Sequence, residues 1–278
     1  MRYGFVLPYG DAATAAQLAA TAEEAGWDGF FVWEPVWGVD AWIALTAAAM
    51  RTSRIRLGTM LTPLPRRRPW DLAGQAATLD NLSGGRVVLS VGLGATHEGW
   101  TAFEPDPGRK VRAELLDEGL DVLAGLWGGQ PFAYEGRHHT VRPTGFMVPA
   151  PPVQKPRIPV WVVGGWPAPR SMRRVARWDG WLPNVLPAAP GEPAPELTPA
   201  IVTEAVGWLR AERERNGLTL EGFDVVVEGT TTPESAAGEA ARWQEAGATW
   251  WMEADWSVER DRVMDYAVER LSAGPPGR

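Results

Sequence analysis

Residues 22–30 read AEEAGWDGF, and residues 243–251 read WQEAGATWW. The two phrases share one grammar: the end of an amphipathic run, a glycine, then a short aromatic or β-branched run. Glycine just past a helix supplies the left-handed backbone that closes the last turn. Each phrase therefore reads as helix, C-cap, strand. Gly84-Gly85 and Gly217 punctuate the chain in the same way. Outward from these points, eight short apolar runs alternate with eight longer Ala- and Leu-rich ones. Strands are expected at about 3–8, 29–33, 55–61, 86–92, 158–164, 180–184, 223–228 and 248–252, and helices at about 12–25, 41–51, 69–82, 109–126, 168–178, 199–216, 233–246 and 257–271.

The strand runs are apolar on both faces, as a parallel sheet covered by helices requires. Eight βα units specify an α/β chain and favour a (β/α)8 TIM barrel, with an open doubly wound sheet as the alternative that periodicity leaves standing. Single barrels run to about 250 residues, so one domain over residues 1–272 is expected. Residues 127–157 are too rich in proline and glycine for a helix. They read as an insertion between helix four and strand five, with a short hairpin around Phe132–Val141. Residues 185–199 read as a loop or lid, and 273–278 as a flexible tail.

The formal net charge is −7 and the only dense basic run is Arg66-Arg67-Arg68. Phosphate-backbone binding needs clustered cations, so no nucleic-acid partner is expected. There is no cysteine, which removes disulfides and thiolate chemistry and fits a cytoplasmic setting. No apolar run reaches the roughly 20 residues of a membrane span, and RYGFVLP at the start has no signal-peptide layout. The three histidines, His97, His138 and His139, lack metal-ligand spacing, so no metal site is expected.

In a barrel of this kind chemistry sits at the C-terminal ends of the strands. Those ends carry Trp33-Glu34-Pro35-Val36-Trp37, Thr59-Met60-Leu61, Gly92-Leu93-Gly94, Gly164-Gly165-Trp166, Pro183-Asn184 and Glu228. They are rich in aromatics and glycine. They lack the opposed acids of a glycosidase, and Lys110 and Lys155, the only lysines, fall in a helix start and a loop. The pattern suits a large apolar ring system held by a few polar groups. Glycines at strand ends let backbone N–H groups approach a ligand, and the helix starting near Ala168, with Arg170 and Ser171 in its first turn, could receive a phosphate. Trp33, Trp37, Trp100 and Trp166 are candidate substrate walls. Trp42 falls inside a helix pattern and reads as packing.

The ordered phrases AEEAGWDGFFV, RTSRIRLGTMLTPL, RRRPWDLAGQAATLDNLSGGRVVLSVGLG, VRAELLDEGLDVLAGLW, FAYEGRHHTV, IPVWVVGG and ARWDGWLPN span nearly the whole chain. Together they resemble the luciferase-like flavin- and deazaflavin-dependent oxidoreductases. The resemblance implies a TIM barrel, commonly a homodimer, binding its cofactor at the C-terminal mouth. It implies a bulge at Thr59-Met60-Leu61 with a cis bond at Thr59–Met60. It further implies cofactor contacts from Gly92, Gly94, Val163, Gly164, Gly165, Pro183 and Asn184, with Glu34 anchoring a cofactor hydroxyl or ring edge. Relatives often carry an Asp-His pair after strand two, where this chain has Glu34-Pro35. Some carry a glutamate where it has Ala95. His97 and Glu98 lie close enough in sequence to replace them in proton transfer. The implied function is coenzyme F-420-dependent hydride transfer to or from a small apolar or cyclic compound. An FMN-dependent monooxygenase is the alternative within the family. A cofactor-free barrel hydrolase or a non-catalytic ligand-binding barrel is the alternative of another class. Arg66 to Arg68 could line a groove for the acidic deazaflavin tail.

Overall fold

The computed structural model describes residues 1–96, 98–189, 191–232 and 234–276; of Glu98 it describes the backbone only. In chain order the elements are β1 (Arg2–Leu7), α1 (Ala12–Glu24), β2 (Gly29–Val32), α2 (Ala41–Ala49), β3 (Arg56–Thr59), β4 (Thr62–Pro63), a 3-10 turn (Leu64–Arg66), α3 (Pro69–Ser83), β5 (Val87–Gly92), α4 (Glu98–Thr101) and α5 (Arg109–Gly128). Then come β6 (Tyr134–Glu135), β7 (Thr140–Val141), β8 (Val160–Trp166), α6 (Pro169–Ala176), β9 (Gly180–Val185), α7 (Pro199–Arg215), β10 (Asp224–Gly229), α8 (Ala236–Glu245), β11 (Trp250–Glu253) and α9 (Val263–Ser272).

β1 pairs in parallel with both β2 and β11, and the ladder continues β2–β3–β5–β8–β9–β10–β11. The sheet closes on itself as an eight-stranded barrel, so the open-sheet alternative falls. β6 and β7 form the antiparallel hairpin expected in the insertion.

The helix ends follow from their residues. Asp11 and Asp40 cap α1 and α2, accepting from Thr14 N at 2.7 Å and from Trp42 N at 2.8 Å. Pro69 stands in the first turn of α3, and Gly84 ends it at φ 68°. The Glu23 carboxylate accepts from the backbone N–H groups of Ser53, Arg54 and Ile55, tying α1 to the entry of β3.

Three boundaries differ from the sequence pattern. Strand three is split: Met60 N still donates to Val32 O at 2.8 Å, which keeps the chain in register with β2 through Met60. The departure comes after it, so the non-prolyl cis peptide is Met60–Leu61 and not Thr59–Met60. α9 starts at Val263 and not near 257, because the Asp255 carboxylate accepts from Ser257 N and Oγ and holds that stretch as a turn. A short helix, α4, stands in what read as loop after strand four. In the C-terminal stretch, Pro275 and Pro276 are buried and Gly274 O accepts from Arg270.

Side chains alternate across each strand, and two cores result. The outer one lies between strands and helices and includes Phe5, Phe30, Leu89, Trp181 and Trp251. The inner one fills the lumen with Val6, Phe31, Met60, Val88, Trp161, Leu182, Val226, Trp250, Met252 and Ala254. Phe31 stacks on Trp161 at 5.4 Å, and Trp161 meets Trp250 at 5.3 Å and 65°. At the N-terminal end of the barrel, the buried Asp224 accepts from Trp161 Nε1 and Thr249 Oγ1 and pairs with Arg2. These rings plug the lumen and leave only the C-terminal mouth open.

Gly58 makes this packing possible. A Cβ there would meet Phe31 Cε1 at 2.7 Å and collide with the Val88 carbonyl. Gly58→Ala is therefore expected to cost about 1–3 kcal/mol by overpacking. Gly74→Ala, in open space on α3, should be neutral or stabilising by up to about 1 kcal/mol. Urea denaturation of both variants checks the contrast, and equal midpoints would contradict it.

Candidate functional site

A cavity of ≈ 1030 Å³ opens at the C-terminal mouth of the barrel. The pleat decides which residues reach it. On β8, Trp161 faces the lumen, so Val163 and Gly165 follow it inward and line the cavity, whereas Gly164 and Trp166 turn outward. A Cβ on Gly164 would strike Val175 and Trp181 in the helical layer. Trp166 packs against Trp208 at 6.4 Å. On β9, Asn184 lines the cavity and Pro183 does not. On β5, Gly92 lines it, and a Cβ there would meet Leu61 and Val163 at 3.1 Å.

Glu34 is buried in the wall. Its Oε2 accepts from Thr62 Oγ1 at 2.5 Å and from Trp42 Nε1 at 3.3 Å, and its Oε1 accepts from Arg67 Nη1 at 2.7 Å. Thr62 Oγ1 lies 2.9 Å from Thr59 Oγ1, which donates to Ser90 O. Burial pushes the Glu34 carboxyl above the ordinary glutamate range; the Arg67 charge, and then the Thr62 and Trp42 donors, oppose that shift. Thr59 is fully buried and supports the wall without lining it.

Opposite, Trp100 of α4 lies under the guanidiniums of Arg66 at 4.9 Å and Arg112 at 5.6 Å. Arg112 donates to Gly94 O at 2.8 Å, and its Nε is 3.0 Å from Asp106 Oδ1. Gly94 has φ 77°, and a Cβ there would run into Pro63 at 2.9 Å and into the Trp100 ring. Trp100 Nε1 is buried with no hydrogen-bond partner among the described residues. At the rim, Trp37 is 83% exposed, with its ring centroid 6.3 Å from that of Phe103.

The structure thus gathers Trp33, Glu34, Trp37, Met60, Leu61, Gly92, Gly94, Trp100, Val163, Gly165 and Asn184 around one cavity. It leaves Thr59, Gly164, Pro183 and Trp166 off its surface. His97 lies outside the described residues, as does the Glu98 side chain. Pro35 and Ala95 both line the cavity. Of the basic run, Arg66 bonds Glu104, Arg67 bonds Glu34 and Gln75, and Arg68 is exposed outside the cavity. The Gly165 amide donates to Ser171 Oγ at 2.9 Å. Sequence reading did not single out Phe103, Arg109, Leu186 or Arg260 as lining groups. Arg260 falls inside a run with helical periodicity, so its pattern gave no sign of a rim position. Among the described residues, no group of three His, Asp or Glu could hold a metal ion, and no helix is long and apolar enough to cross a membrane.

A family model described as luciferase-like monooxygenase matches residues 2–275, and the chain belongs to that family. A Mycobacterium tuberculosis protein that carries a provisional coenzyme F-420-dependent oxidoreductase name is 34% identical over 60% of this chain and 50% of its own length. An F-420-dependent glucose-6-phosphate dehydrogenase from Nakamurella multipartita is 32% identical over 77% of this chain and 61% of its own. The match therefore spans half to three-fifths of these two relatives. Among solved structures, an F-420-dependent secondary alcohol dehydrogenase in complex with an F-420–acetone adduct superimposes with a TM-score of 0.77 at 17% identity. That superposition covers 98% of both chains, and it shares the fold.

Because its carboxyl is raised, folded Glu34 keeps a proton that the unfolded chain has already released. Its contribution to stability is full at low pH and declines as pH rises through the interval above the ordinary value. Arg67→Gln removes the opposing charge and extends that interval upward. The variant's stability deficit against wild type is expected to be larger at about pH 8 than at about pH 5. Chemical denaturation at both values checks this, and a deficit that shrinks with pH would contradict it.

Proposed function

We propose that this chain is an oxidoreductase that uses coenzyme F-420 to move a hydride to or from a small apolar or cyclic organic substrate. One observation carries the reading: a large cavity at the mouth is walled mainly by apolar and glycine residues and floored by the split strand three. The relatives named above, about a third identical over the matched stretch, carry F-420-dependent names. The residues fit such a group. Met60, Leu61, Gly92, Val163 and Gly165 would hold a flat ring against backbone, and Arg109, which has no carboxylate partner among the described residues, offers a cation at the rim. The deazaflavin supplies hydride chemistry when bound; the protein supplies orientation and a dry pocket.

Glu34 holds the cavity wall in this reading. Both its oxygens are occupied by protein donors, so it is poorly placed to exchange protons with a substrate. Pro35 can neither donate nor accept a proton. Proton handling is therefore assigned to the loop after β5, where His97 and Glu98 stand in sequence. Trp33 and Trp37 wall the substrate side.

Calorimetric titration of the purified protein with coenzyme F-420 and with FMN tests the cofactor assignment. Saturable binding of F-420 at least about tenfold tighter than FMN is expected. A preference for FMN would shift the assignment to the monooxygenase alternative. Gly92→Val is expected to weaken F-420 binding by about tenfold or more, since the added methyls enter the cavity floor, while the protein stays folded. Unchanged affinity would remove Gly92 from the floor.

A further inference from the structure

Beside the main cavity lies a second one of ≈ 340 Å³. The two share Tyr9, Trp33, Pro35, Trp37 and Arg260 as common walls, so they open side by side. All its other walls are aliphatic, proline or glycine, and Arg260 is its single charged lining residue. The Arg260 guanidinium sits over the Tyr9 ring at 5.0 Å, and Tyr9 meets Trp33 edge-on at 6.1 Å and 85°.

Two facts bear on what Arg260 can bind. First, it has no carboxylate partner among the described residues, although the chain carries an excess of acids and Asp255, Glu259 and Asp261 are close in sequence. Its neighbour Arg262 does take one, Asp265 at 3.8 Å. The other charged groups of the main cavity are settled, apart from Arg109: Glu34 pairs with Arg67, and Arg112 with Asp106. Second, the two open cations stand across the barrel from each other. Arg260 follows β11 and Arg109 follows β5, and these strands are diametrically opposite in the ring of eight.

We propose that the smaller cavity is the distal subsite for the substrate and that Arg260 selects substrates carrying a carboxylate on an apolar, ring-sized body. This rests on the oxidoreductase reading above. The guanidinium fork matches a planar carboxylate in bidentate geometry. Stacking on Tyr9 holds it in place, and the apolar walls take the ring-sized body. The ring would lie between Trp33 and Trp37, with its reactive carbon turned toward the main cavity.

Isothermal titration of the full chain with 2-naphthoate and with its neutral isostere 2-naphthamide tests this, in wild type, Arg260→Gln and Arg109→Gln. Wild type is expected to bind the acid at least about tenfold tighter than the amide. Arg260→Gln should erase that preference, and Arg109→Gln should keep it. Equal affinities in wild type, no binding of either probe, a preference intact in Arg260→Gln, or one erased in Arg109→Gln would each overturn the proposal. Coenzyme F-420 is titrated into the same preparations. Its failure to bind while the naphthoate preference persists would remove the cofactor reading and leave the anion subsite standing.

Discussion

A carboxylate placed in a protein wall must find donors, and Glu34 finds three, on three different elements. Trp42 comes from α2, Thr62 from β4, and Arg67 from the approach to α3. Removing one partner from a buried pair of this kind typically costs about 3–5 kcal/mol, because the other charge is left stranded. The web therefore fixes where the chain re-enters the ladder after Met60–Leu61. That re-entry shapes the floor of the cavity, so the geometry of the site depends on a residue that itself has no free oxygen to offer a ligand.

The second determinant is volume. Phe31, Trp161 and Trp250 fill the lumen so fully that glycine is required at facing positions such as Gly58. With the lumen closed, a ligand has access only to the mouth, where the same pleat brings Gly92, Val163, Gly165 and Asn184 to the surface. Aromatic bulk low in the barrel and glycine high in it are two halves of one packing solution. The aromatic stretch after strand two divides along the same line: Trp42 packs and bonds Glu34, Trp33 walls the cavity, and Trp37 stands at the rim.

Much of this was legible in the residues. The glycine caps and apolar runs placed all eight barrel strands and their helices, because each is a local signal. Most of the cavity was legible too, since the mouth of a barrel is fixed by strand direction. The errors share a physical cause. Gly164 and Gly165 look identical in sequence, and only the inward position of Trp161 shows which one faces the ligand. Pro183 and Asn184 differ for the same reason of parity. The break in strand three falls one bond later than the motif suggested, because a long-range bond from Met60 to Val32 holds the ladder that far. Arg67 was read only as part of a basic groove and Arg260 was not seen as a site residue, because their roles depend on partners, or the absence of partners, set by tertiary packing.

Under the proposed function, the split strand and the glycine-lined ends of β5 and β8 would seat a deazaflavin ring. A crystal structure of the complex with coenzyme F-420 tests it most directly. The ring is expected in the mouth cavity against Met60, Leu61, Gly92 and Gly165, with the acidic tail leaving on the Arg109 side. A ring seated elsewhere, or a tail running across the mouth to Arg260, would contradict it.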